Sequence, residues 1–144
     1  MMYKKFILLL CSVLVVSCGT KKVGASKESQ AIVLGKEIMD YKSLGNGVAD
    51  ISLKFYDNET FQFVMNSIPQ KQSDKSIRIS EKGTYTSNGK WKELHFKNPK
   101  FSLEAIFDPQ FSEGDDYRAI DHETVKFNTG KEAVSIWGVT CVRE

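Results

Sequence analysis

From Ala49 onward, apolar and polar residues alternate with a period of two, the pattern of half-buried strands. Ile51, Leu53 and Phe55 interleave with Ser52, Lys54 and Tyr56; after Asp57-Asn58-Glu59, Phe61, Phe63 and Met65 interleave with Gln62 and Val64. Two such runs about an Asp-Asn turn predict a β-hairpin. Residues 69–75 are a polar loop. Ile77 and Ile79 begin a third run, Gly83 permits a bend or bulge, and Tyr85 continues it. Asn88-Gly89 then precedes Trp91–Phe96, and Asn-Gly is the strongest short-range hairpin signal because both residues accept a positive φ.

After Pro99, Phe101, Leu103, Ala105 and Phe107 alternate with Ser102, Glu104 and Ile106, which predicts a strand ended by Asp108-Pro109. Residues 110–121 read as an acid-rich loop. A last pair, residues 124–127 and 132–142, is joined through Asn128-Thr129-Gly130-Lys131. The run from Val134 to Val142 is apolar on both faces, as expected of a strand that is central or closes a barrel. Upstream, residues 31–34 are a short apolar run, and residues 36–43 carry Ile38, Met39 and Tyr41 without clear alternation. A short strand and one or two helical turns fit that segment equally well, before a Gly45-Asn46-Gly47 turn. About eight strands, short turns and almost no helix predict an all-β fold. It is expected to be an antiparallel β-barrel or a strongly curled sheet, since curling removes exposed edges.

The first residues follow a different rule. Lys4 and Lys5 form a basic start, Phe6 to Val16 is apolar except around Cys11 and Ser12, and Val15-Val16-Ser17-Cys18 closes the run. This is the layout of a secretory signal, with an apolar stretch well short of the roughly 20 residues that span a bilayer. The four closing residues resemble a bacterial lipobox, with Val15 in place of its more typical Leu. The resemblance implies cleavage of residues 1–17 and acylation of Cys18, which would anchor the chain through two or three acyl chains. Gly19 rather than Asp follows Cys18, and Lys21 and Lys22 stand where an acidic export cluster would. By resemblance to known sorting rules, this implies a lipoprotein of the outer membrane facing the periplasm. Residues 18–30 read as the lipidated cysteine and a flexible tether of small, polar and basic residues. Residues 31–144 read as one β-barrel-like domain.

Cleavage leaves 144 − 17 = 127 residues, enough for one core. Lys4 and Lys5 leave with the signal, so 18 of the 20 basic residues remain against 18 acidic ones. That balance argues against nucleic acid as a partner, because such binding runs on phosphate neutralisation. With Cys11 removed and Cys18 acylated, Cys141 has no internal disulfide partner and reads as a buried small hydrophobe.

The densest polar cluster is Glu113-Gly114-Asp115-Asp116 with Asp121-His122-Glu123. Hard cations take such oxygen ligands, but the spacing matches no EF-hand and only His95 and His122 supply imidazole, so it reads as a solvated loop with no metal. His95 alternates with Trp91 and Glu93, which places it on the surface if Leu94 and Phe96 face the core. No nucleophile elbow, phosphate loop or metalloprotease helix is present, and neither catalysis nor a cofactor is expected.

Residues 49–65, followed by Glu81-Lys82-Gly83-Thr84-Tyr85-Thr86-Ser87-Asn88-Gly89-Lys90-Trp91, resemble small calycin-type envelope lipoproteins. These include lipocalin-like domains and the amino-terminal domain of NlpE-like lipoproteins. The likeness covers about a third of the chain and implies the fold; the Gly-x-Trp of many lipocalins and the Cys-x-x-Cys of NlpE-like domains are missing, so no redox or metal activity is implied. A small barrel either fills its interior or holds one ligand. The first expectation is therefore a non-enzymatic, lipid-anchored protein that binds an apolar small molecule or a lipid, with Phe55, Phe63, Tyr85, Phe101 and Trp137 on the inner wall. The alternative is a module that docks another envelope protein through a sheet edge or the loops 69–75 and 110–121.

Overall fold

A computed structural model describes residues 30–45, 47–112 and 114–144. The signal segment, Cys18 and nearly all of the tether lie outside the described residues. Residues 31–144 form one compact unit.

The unit is all-β, with nine antiparallel strands in one strongly curled, half-barrel sheet and one turn of α-helix. The strands are β1 (Glu37–Ser43), β2 (Ala49–Tyr56), β3 (Thr60–Ser67), β4 (Arg78–Asn88), β5 (Trp91–Phe96), β6 (Tyr117–Ala119), β7 (Thr124–Asn128), β8 (Ala133–Ile136) and β9 (Val139–Arg143); α1 is Leu103–Ile106. Their spatial order is β6-β7-β5-β4-β3-β2-β1-β9-β8. β1 through β5 pair as a meander, in keeping with the alternation in the sequence, and Ile51, Leu53, Phe55, Phe61, Phe63, Met65, Leu94 and Phe96 all point into the core. The ambiguous segment at residues 36–43 is β1. A register shift between Glu37 and Met39 turns Ile38 out to solvent, which is why its alternation is hidden.

Two expected features differ in detail. Pairing at Gly83 continues without a bulge on both sides. A Cβ there would collide with the Phe61 ring and the His95 carbonyl oxygen, so this glycine serves close packing. In the β4–β5 hairpin, Asn88 stays in the strand opposite Trp91, and Gly89 takes the positive φ of 59° at the first central turn position.

Three expectations are corrected. The first concerns residues 101–107, which form no strand. Ser102 caps α1 by accepting the Ala105 N–H at 3.3 Å, and Asp108 caps a 3-10 turn at Pro109–Phe111 by accepting the Gln110 N–H at 2.9 Å. This segment lies across one end of the sheet, with Phe101 and Phe107 against Phe63 and Phe96. The second concerns the acid-rich loop, which contains β6. The third concerns residues 132–142, which are two strands joined at Trp137-Gly138, with φ of 50° and 72°. Those values are the ones a tight two-residue hairpin turn requires, and the Trp137 N–H is fixed by the Ile106 carbonyl at 3.0 Å. Because of that turn β7 does not pair with this segment; it lies between β5 and β6, while β9 pairs with β1.

The two free edges, β6 and β8, face each other and are joined by side chains. Tyr117 donates its hydroxyl to the Ser135 carbonyl at 2.5 Å, and Asp116 accepts the Ser135 N–H at 3.1 Å. These two groups occupy outward-pointing backbone positions of β8 that would otherwise template another strand.

Candidate functional site

Of the five residues expected on an inner wall, Phe55 from β2, Phe63 from β3 and Tyr85 from β4 are buried in the concave face, because inward positions recur every second residue. Phe101 precedes α1 and Trp137 sits in the β8–β9 turn; both are half-buried and pack on the same core. The five do not enclose a common space. Phe55 meets Tyr85 at 5.3 Å between ring centroids, Tyr41 at 6.5 Å and Phe127 at 6.0 Å. Phe63 meets Phe107 at 5.3 Å and Phe101 at 5.8 Å. Most of these pairs are edge-on or tilted, the geometry favoured by aromatic quadrupoles. The Tyr85 hydroxyl donates to the Tyr56 carbonyl at 2.8 Å within the protein, and burial raises its pKa. The rings therefore fill the concave face by touching one another.

The acid-rich cluster is divided by the fold. Glu113 lies outside the described residues. Asp116 is 2% exposed and pairs with Lys131 at 2.5 Å in the β6–β8 seam. Asp121 lies on the β6–β7 turn, where it accepts the Glu123 N–H at 2.8 Å, the main reason its carboxyl is held below the usual range. Glu123 in turn accepts the Asn98 N–H at 3.2 Å. Among the described residues no three His, Cys, Asp or Glu side chains converge as a metal site would require. His95 is half-buried on the outer face, with Nδ1 3.5 Å from the Thr124 hydroxyl. Cys141 is fully buried, and desolvation pushes its thiol up to about 12, so it stays a protonated, unreactive thiol at neutral pH.

Two features were missed in reading the sequence. Beside the seam an open cleft of about 590 Å³ is lined by Phe111, Ser112, Asp116, Lys131, Ser135 and Thr140. Phe111, 52% exposed, lies on its rim. The other feature is a group of exposed apolar side chains, Leu44, Val48, Ile68 and Ile77, at one end of the sheet. Backbone bonds gather them: the Ile68 N–H donates to the Val48 carbonyl at 2.8 Å, and the Ser67 N–H to the Ile77 carbonyl at 2.9 Å. Gln70 ties the 69–75 loop to the same place by donating to the carbonyls of Gly47 and Ile68, both at 2.8 Å. A signal existed for it. Val48 and Ile68 fall out of phase with the core-facing Ala49, Ile51, Phe63 and Met65, whereas Leu44 follows a segment without clear alternation and Ile77 shares the phase of the buried Ile79.

The described chain joins the sheet at the opposite end. Residues 33–36 lie on the β2–β3 turn: Asn58 donates to the Val33 carbonyl at 2.9 Å and accepts the Gly35 N–H at 3.1 Å, while Asp57 accepts the Lys36 N–H at 2.9 Å. β1, seven residues long, separates this junction from Leu44 by about 23 Å. No protein-family model, curated protein or solved structure matches the chain.

Proposed function

We propose that the chain is a lipid-anchored bacterial envelope protein, acylated at Cys18, whose β domain docks another envelope protein without catalysis. The contact surface is the apolar end formed by Leu44, Val48, Ile68 and Ile77 with the 69–75 loop. The observation that carries this reading is the pairing of a concave face filled by its own aromatic rings with an apolar group exposed at the end away from residues 33–36. Exposed apolar side chains gathered at one end of a domain mark interaction surfaces. Their position suits a protein held at the membrane by one end and offering the other to the periplasm.

The test is a photoreactive amino acid at Leu44 in the lipoprotein expressed in its own host. A discrete cross-linked polypeptide, lost on Ile68→Asp, is the expected result. Native mass spectrometry on the same protein showing a reproducible small apolar adduct, with no cross-linked partner, would replace this reading by ligand binding. The anchor has its own test: a Cys18→Ala chain that is still processed and membrane-bound would refute acylation at that residue.

A further inference from the structure

We infer that the β4–β5 hairpin tip and the neighbouring outer face of β7 and β6 form a foot that rests on anionic phospholipid headgroups. The inference rests on the anchoring at Cys18 proposed above and adds how the domain is oriented by it. β4 runs past the start of β3: Thr84 lies opposite Thr60, and the Tyr85 N–H reaches the Glu59 carbonyl at 2.8 Å. Residues 86–88 therefore carry the tip about 10 Å beyond Glu59. This is the end of the sheet at which residues 33–36 join it. Only 12 residues separate Cys18 from Ala31, and such a stretch spans at most about 40 Å.

The chemistry of the tip fits an anionic interface. Trp91 is half-buried, with the Lys126 ammonium 5.2 Å and the Lys90 ammonium 5.9 Å from its ring centroid. Lys126 also stands directly opposite Arg118 on β6. Like charges facing each other across a strand pair repel, and an external anion relieves the repulsion. Glu93 is the one carboxylate in that cross-strand row, opposite Lys126 on β5, yet Lys90, Lys126 and Arg118 form no ion pair among the described residues. On the other face Lys92 lies 5.7 Å from the Tyr85 ring; the bordering acids are Asp57 and Glu59 near Tyr85, and Asp115 and Asp116, whose carbonyls accept from Asn128 opposite Trp91. Tryptophan with flanking lysines is the side-chain set that settles at a membrane–water interface. Each cation close to an anionic leaflet favours the seated state about fivefold. A mature chain with balanced charge would then orient itself through where its cations lie.

The experiment uses the processed lipoprotein reconstituted into vesicles of phosphatidylcholine with or without phosphatidylglycerol, after mass spectrometry has shown the acyl mass on Cys18. Trp137→Phe leaves Trp91 as the one tryptophan, and brominated lipids report its contact with the bilayer. Quenching is expected in the phosphatidylglycerol vesicles, absent in pure phosphatidylcholine and reversed by molar salt, which shortens the screening length to about 3 Å. Lys90→Glu with Lys126→Glu should shift the seated population more than tenfold and return quenching to the neutral-lipid level. The chain with both tryptophans gives a second readout: seating should shield Lys90 and Lys126 from a water-soluble acylating reagent. An acylated protein whose Trp91 stays unquenched and whose lysines stay reactive in anionic vesicles overturns the foot alone. Quenching indifferent to lipid charge overturns its electrostatic basis, and a missing acyl mass overturns the anchor and the foot together.

Discussion

Gly83→Ala isolates one packing constraint that the fold imposes. The glycine is buried between Phe61 on β3 and Phe96 on β5, whose rings pack edge-on at 4.8 Å, and its φ is not in the left-handed region. Backbone conformation alone would make alanine favourable by about 0.5–1 kcal/mol, since glycine loses more entropy on entering a strand. Space reverses the sign, because the new methyl overlaps the Phe61 ring and the His95 carbonyl. Overpacking of this kind costs about 1–3 kcal/mol, and displacing Phe61 forfeits part of an aromatic pair worth about 0.5–1.5 kcal/mol. The net expectation is about 2 kcal/mol of destabilisation. Urea unfolding followed by circular dichroism reads it as a midpoint lowered by about 1–2 M at unchanged slope. Phe61→Leu should recover part of the loss in the double variant, giving a coupling of about 1 kcal/mol, while the clash with the His95 backbone remains. A neutral or stabilising Gly83→Ala would refute the claim that ring packing fixes this position.

The seam and the buried acids make two further predictions. Asp116→Ala leaves the Ser135 N–H without its carboxylate and removes one partner of Lys131, so a loss of about 2 kcal/mol is expected, with faster amide exchange at Ser135 than at β3 residues; a globally uniform exchange change would refute a local seam. On the alkaline side, Cys141 rises from 9.0 to about 12 through burial, and burial also raises Tyr41, Tyr85 and Tyr117. These groups are neutral when protonated, so a folded-state pKa above the unfolded one stabilises the fold below pH 9, and that contribution is lost as the pH rises from 9 towards 12. Stability measured against pH should fall over that window, less steeply in Cys141→Ala; a flat profile to pH 12 would contradict it.

The strands with clean alternation were legible because each buries one face of a meander, and a period of two then follows from the pleat alone. Residues 101–107 alternate just as cleanly, yet they fold as α1 and its flanks. The competing signals were present in Ser102 as a helix cap and in Asp108-Pro109 as the cap and first residue of the 3-10 turn. They prevail because this segment closes the open end of a sheet, where Phe101 and Phe107 reach Phe63 and Phe96 without needing strand pairing. Residues 132–142 misled for the opposite reason. A turn whose first central residue is Trp137 at positive φ has only Gly138 as a local signature, and it is held by the distant Ile106 carbonyl.

The amino-acid sequence by itself determined the all-β class, the β2–β3 and β4–β5 hairpins and the inward direction of Phe55, Phe63 and Tyr85. Those follow from alternation and turn chemistry between neighbours in the chain. Only the tertiary structure decided that β7 inserts between β5 and β6, that β9 returns to β1, and that Asp116 and Tyr117 close the gap to β8. Whether the inward rings line a space or fill it was settled in the same way, by Tyr41, Phe107, Phe127 and the α1 segment arriving from remote positions. Alternation fixes which face a side chain takes. How much room remains on that face depends on the curl of the whole sheet and on every other residue that shares it.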